Sequence, residues 1–255
     1  LPWIGPVPRR PRCEHPHIPQ HVIQRSAPGR SLFEGHCDVD LYLSLIGEAC
    51  IKQGCDLHAY AFATHEVRLL ITGRAEGAVT AMLHSSAQQF TRYANRRDRS
   101  LGTLWYGRYQ SCLVGGAKYV LDACQLVEQS AKPAVADGSA RHAPWSSYAC
   151  HAHGQAVPWL TPHAAYVQLG MSESERQIRY RQRALGSSET GASLLRHTQQ
   201  GCPWGSERFL QKLGRAMGEL PSPRPRGRPR RVLGTMLKSL SLFFLTSWAT
   251  VVQTP

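Results

Sequence analysis

The stretch EVRLLIT, residues 66–72, alternates two kinds of side chain. On a strand, successive side chains point to opposite faces, so Val67, Leu69 and Ile71 share one face and Glu66, Arg68 and Leu70 the other. Glu66 offers a hard carboxylate oxygen that could hold Mg²⁺. Arg68, two residues on, stays protonated. A unit charge about 5 Å from a divalent ion costs on the order of 7 kcal/mol at an effective dielectric of 20. The pair therefore predicts a Glu66–Arg68 contact rather than a metal site, worth little in stability if exposed. His65 points to the opposite strand face from Glu66, and with His21 and His58 it reads as an ordinary sheet or loop histidine.

Two further places carry chemistry. Arg92, Arg96, Arg97, Arg99 and Arg108 surround Trp105, Tyr106 and Tyr109. Basic side chains interleaved with aromatics suit a single strand of nucleic acid, because bases stack while phosphates are neutralised. The same spacing also fits Trp105 and Tyr109 as core anchors beneath a charged loop. PSPRPRGRPRR (221–231) has four prolines, five arginines (Arg224, Arg226, Arg228, Arg230 and Arg231) and no acid. Its PRGRP core is similar to an AT-hook. Glycine lets the backbone approach a minor groove, proline holds it extended, and a narrow A·T groove attracts arginine. A solvated basic tail is the alternative. A basic helix with Arg176, Arg179, Arg181 and Arg183 is a weaker candidate, because Glu173 and Glu175 offset it.

These groups need elements to hold them. HVIQR (21–25) suits a first strand. Asp38 is a candidate helix N-cap ahead of Val39, Tyr42, Leu43, Ile46, Ala49 and Cys50, which fall at helical spacing, and Gly54 would end that helix. DLHAYAF and EVRLLIT form two strands. Val79, Met82, Leu83, Ser86, Phe90 and Tyr93 mark a second helix. YQSCLV (109–114) suits a fourth strand, and Val120, Leu121, Cys124 and Val127 mark a third helix. The order β-α-β-β-α-β-α predicts an α+β, ferredoxin-like antiparallel sheet with helices on one face. A helical basic C-terminal extension follows, with capping-box spacing at Ser172 and Glu175 and a further helix near SERFLQKLGRAMG. The expected divisions are a mobile lead-in at 1–16, the sheet domain at 17–150, the extension at 151–220, the arginine-rich tail at 221–231 and an apolar tail at 232–255.

Thirty Lys and Arg stand against 17 Asp and Glu, a formal net charge of +13. Such an excess favours a polyanionic partner. The eight cysteines form no C-x-x-C pair, which argues against a zinc ribbon and for reduced, mostly buried thiols in a cytosol. No positively flanked apolar run opens the sequence, against a secretory leader. LSLFFLTSWATVV (240–252) has 13 uncharged residues, short of the roughly 20 that cross a bilayer.

Several stretches in order resemble the REP-associated tyrosine transposases of the HUH single-tyrosine superfamily. They are HVIQR, GCDLHAY leading into LLIT, GTLWYGRYQSCLV (102–114), PWSSY (144–148), LTPHAAYVQLG (160–170), GSERF and PRGRPRR. The resemblance runs from about residue 17 to 231. It implies a ferredoxin-like domain that binds hairpin-forming single-stranded DNA, a divalent metal and a 5′-phosphotyrosine intermediate. The family's two strand histidines correspond here to Glu66 and Arg68, its nucleophilic tyrosine to Leu126, and its last metal ligand to Ser130. All four positions are changed, and Leu126 offers no nucleophile. Tyr119 lies two turns earlier on the same helix face, roughly 11 Å away, which makes it a weak substitute.

The expected reading is a DNA-binding protein of transposase descent, cytoplasmic and nucleoid-associated, with catalysis lost. Its partner is single-stranded or hairpin DNA, with an A/T-rich minor groove as a further target; it needs no cofactor, small-molecule substrate or membrane, and is a monomer or homodimer. The alternatives are an active transposase with a rebuilt Mg²⁺ or Mn²⁺ site, and a decayed mobile-element product without a selected role. An RNA-recognition module is disfavoured, because Glu66 and Arg68 stand where such modules expose aromatics.

Overall fold

The computed structural model describes residues 12–131, 145–183 and 188–222. The first half runs β1 (Pro19–Arg25), α1 (His36–Gln53), β2 (Cys55–Ala63), β3 (Glu66–Gly73), α2 (Ala78–Arg97), β4 (Gln110–Gly115) and α3 (Ala117–Glu128). The second half is α4 (Tyr148–His153), α5 (Ala164–Val167), α6 (Glu173–Gln182), α7 (Ser188–Gln200), β5 (Trp204–Gly205) and α8 (Glu207–Met217). The strands form one sheet in the order β2-β3-β1-β4-β5. β1 and β3 are central, and β1 is antiparallel to both β3 and β4.

Alternation along the strands sorts the core into two layers. Val22, Phe62, Val67, Leu69 and Ile71 pack with Tyr42 and Ile46 of α1 and with Met82 and Phe90 of α2. Ala59, Ala61, Leu70, Cys112 and Val114 face the other way, against Val120, Cys124 and Val127 of α3. A bulge in β2 between Leu57 and Ala59 makes His58 the extra residue and keeps both layers in phase with β3.

The α+β architecture matches the expectation, with differences of physical interest. Helices cover both faces rather than one, since α3 and the elements after residue 145 close the second layer. β5 joins β4 in parallel through Val114 and Gly115, which makes the sheet mixed. The expected boundary at 150/151 falls inside α4, and the extension packs into the same compact unit. The described end of the lead-in is fastened down rather than loose: the Glu14 carboxylate accepts from Thr80 (2.6 Å) and Tyr109 (2.9 Å), and the His17 amide bonds to the Gly73 carbonyl (2.8 Å). Asp38 is not the N-cap of α1; Gly35 is. Asp38 lies in the first turn and accepts from the Glu34 amide and the Tyr93 hydroxyl, tying α1 to α2. Ser172 does cap α6, but Glu175 reaches back to the Met171 amide instead of that of Ser172.

One buried carboxylate fastens the second layer. Glu128, at the end of α3, has no exposed side-chain area. It accepts from the Ser147 hydroxyl, a His151 ring nitrogen and the Tyr180 hydroxyl, each at 2.6 Å. Tyr166 in turn donates to the His151 carbonyl (2.8 Å). Glu128 thereby pins α4 and α6 to α3, and α5 follows through His151. Glu128→Ala would leave buried donors unsatisfied at a cost of about 3 kcal/mol or more. The expected fall in Tm is roughly 6–12 °C, measured by thermal denaturation, with Glu128→Gln falling less because it keeps one acceptor.

Candidate nucleic-acid interface

Glu66 opens β3 and lies directly across from Arg25 on β1, so their side chains leave the same face of the sheet. Arg25 donates from Nε to Glu66 Oε2 at 2.6 Å, and Arg68 donates from Nε to Oε1 at 2.5 Å. The Glu66–Arg68 contact was legible from strand alternation. Arg25 was not, because its part depends on the register between β1 and β3.

Glu66, Arg68, Leu126 and Ser130 do not fit a divalent ion. Both oxygens of Glu66 face guanidinium groups, whose charge opposes a cation. The Leu126 side chain packs against the second core layer. The Ser130 hydroxyl donates to the Val127 carbonyl at 2.6 Å, closing off the last turn of α3. Among the described residues no group of three or more His, Cys, Asp or Glu could hold a metal. Tyr119 sets its ring edge-on to Trp204 at 4.8 Å.

Next to Arg25, the loop before β4 forms a groove. The Tyr106 amide bonds to the Arg25 carbonyl (2.8 Å), and Trp105 bridges to Ser26. Gly107 turns the chain with φ of 65°, a conformation that glycine adopts without strain. Tyr106 and Arg108 on either side are exposed. The cavity holds about 630 Å³ and runs from this loop across Ile23 and Gln110 to the end of α7. Among the described residues its cations are Arg12, Arg25 and Arg108, and no carboxylate lines it. A second cavity of about 420 Å³ opens on the α2 side of the same loop, near Gln24, His84 and Thr91.

The sequence-predicted patch divides on inspection. Arg108 lines both cavities. Trp105 does not serve as a stacking platform, because it is buried. Its Nε1 donates to the Ala87 carbonyl (3.2 Å), and its ring packs near Tyr42 and Phe90. Tyr106 is the exposed ring of this stretch, at 66%. Tyr109 is half-buried with the Arg12 guanidinium 3.8 Å over its ring, and burial pushes its hydroxyl up to about 12. Arg97 is held inside, bonded to Asp38, to Asp98 (2.6 Å) and to the carbonyls of Ser31 and Leu32.

Arg92, Arg96 and Arg99 are exposed and line neither cavity. The basic helix is also engaged internally. Arg176, Arg179, Arg181 and Arg183 donate to the carbonyls of Gly170, Leu169, Ala152 and Lys118. Arg224, Arg226, Arg228, Arg230 and Arg231 lie outside the described residues, as does the apolar tail. Among the described residues no helix is long and apolar enough to cross a membrane.

Arg12 and Arg25 are the groove residues that sequence reasoning missed, and Tyr106 is a patch residue not singled out there. Arg25 ends the HVIQR strand and Tyr106 sits inside the noted patch, yet only the fold brings them to one opening.

The sheet histidines are structural. His21 is buried, with its ring bonded to the Thr198 hydroxyl (2.7 Å); burial first, and then the charge of Arg68, lower its pKa to about 3. His58 donates from Nδ1 to the Thr161 carbonyl (2.7 Å), which leaves Nε2 to accept from the Thr72 hydroxyl (2.8 Å). Burial lowers its pKa to about 4. The unfolded chain therefore takes up these protons first, near pH 6.5. The stabilisation is full above that pH and is lost as pH falls toward the folded values, at up to about 1.4 kcal/mol per unit for each group. Urea unfolding near pH 7 and near pH 5 should show the loss, and His58→Gln should remove part of that pH dependence, the rest coming from His21 and from His163 and His197, which burial also lowers.

No family model matches the sequence, and no curated protein matches it. Among solved structures the chain is similar to a REP-associated tyrosine transposase bound to a REP hairpin. The identity is 12%, the match covers 62% of this chain and 94% of that chain, and the TM-score is 0.44.

Proposed function

We propose that this chain binds single-stranded or hairpin DNA along the groove beside β1 and β4, and that it performs no strand transfer. The observation that carries the reading is an opening lined, among the described residues, by three arginines and no acid, with an exposed tyrosine beside them. Guanidinium groups neutralise phosphates, and an aromatic face accepts a base of any sequence. The sequence motifs, in their order, support descent from a hairpin-handling transposase. The substituted positions support loss of chemistry: Leu126 cannot attack phosphorus, and Glu66 is flanked by cations. On this reading the protein works in the cytosol at the nucleoid and needs no cofactor.

The test measures binding of the full chain to a 5′-hairpin oligonucleotide, a random single strand and a duplex, by fluorescence anisotropy at several salt concentrations. Binding should be salt-sensitive and favour the hairpin or single strand over the duplex. Tyr106→Ala should weaken it by roughly 5- to 150-fold, the range for losing one stacked base. Incubation of the hairpin with Mn²⁺ should give no covalent product on a denaturing gel. Equal affinity for duplex would refute the proposed mode of binding, and a protein–DNA adduct would refute the loss of strand transfer.

A further inference from the structure

Arg25 and Arg68 stand on the two central strands and leave the same face of the sheet, two residue pairs apart in register. Each gives Glu66 only its Nε–H. Among the described residues none accepts from the terminal nitrogens of either guanidinium. The side chains are partly accessible, at 40% for Arg25, 26% for Arg68 and 20% for Glu66. Two cations share one carboxylate, so the trio keeps a net charge of +1. Arg25 also forms part of the groove wall, beside Ile23, whose partner across the β1–β3 ladder is Arg68.

As a stability device this arrangement is weak. Ion pairs with this much solvent contact contribute little, and two like charges brought together oppose it. Its chemical effect is different. A carboxylate that accepts one N–H from each guanidinium fixes the direction in which both unused ends project. Two oriented guanidinium ends match the oxygens of one phosphodiester, where a flexible ammonium would offer only a point charge.

We infer that Arg25, Glu66 and Arg68 form a metal-independent clamp for a DNA phosphodiester at the inner edge of the groove. The arginines are the binding groups, and Glu66 is the positioning residue. The clamp rests on the proposed DNA-binding reading and adds to it a site where the phosphate is held by oriented cations.

The experiment exploits a conflict of sign. Glu66→Gln removes a negative charge, so net electrostatics alone would tighten DNA binding. Loss of positioning would weaken it, as would Arg68→Lys, which keeps the charge and loses the fork. Affinity for a single-stranded oligonucleotide is measured in EDTA across a salt series, with melting curves as folding controls. The wild-type chain should bind equally with and without EDTA. Glu66→Gln and Arg68→Lys should each bind roughly tenfold more weakly, the scale of a lost hydrogen bond to a charged group. Arg25→Gln and Arg68→Gln should each reduce the slope of log K against log salt by about 0.7.

Should Glu66→Gln not fold, Arg68→Lys and the slopes decide the matter. If the wild type binds and the folded variants bind as well or better, the clamp is wrong and the groove reading stands. If the wild type binds no oligonucleotide, both fall together.

Discussion

A sheet covered on both faces has few places to keep a charge. β1 and β3 are flanked by strands and packed above and below, so along most of their length a polar side chain must be neutral. His21 on β1 shows this: it stays uncharged and bonds the Thr198 hydroxyl. Only where β1 ends and β3 begins does the sandwich open, and there Arg25, Glu66 and Arg68 stand together. The site is thus a consequence of the fold's cover. The charged trio sits where desolvation relaxes, next to the loop that turns at Gly107.

Much of the first half of the fold was legible because its patterns are local. Val67, Leu69 and Ile71 against Glu66 and Arg68 gave β3 and its two faces, and the spacing of Val79, Met82, Leu83 and Phe90 gave α2. The Glu66–Arg68 contact needed only alternation within one strand. The Arg25–Glu66 contact needed the pairing of two strands 41 residues apart, which no local pattern encodes. Trp105 shows the same limit. Its sequence neighbourhood fitted a stacking ring and a core anchor alike, and its neighbours in space, Tyr42 and Phe90, decide for the core.

The second layer was harder for another reason. α6 has a single buried residue, Tyr180, and arginines on much of its remaining surface, so it read as a free basic element. Its attachment is polar: Tyr180 reaches Glu128, and the arginines reach backbone carbonyls. Hydrophobic periodicity reports burial of apolar faces and is blind to a helix held this way. Four residues of PWSSY, from Trp145 to Tyr148, show the converse. Ser147 is wholly buried and bonds both β2, at Tyr60, and Glu128, so a stretch that reads as loop is a hinge point of the core.

The distribution of the arginines alters what the net charge means. An excess of +13 suggests a broadly attractive surface, yet many of the described arginines are already engaged. Arg30 and Arg97 bind acids at the α1–α2 junction, Arg74 binds Asp56, and four arginines of the α6 region bind carbonyls. Such groups still contribute to the long-range potential that draws a polyanion in. Their donors, however, are committed to geometry that a ligand would have to break. On the proposed reading, close contact falls to arginines whose guanidinium ends remain open, and Arg25 and Arg68 have that freedom on one face of the central strands. On that reading attraction and recognition are carried by different arginines. A count of charges in the sequence measures the first; only the hydrogen-bond pattern identifies the second.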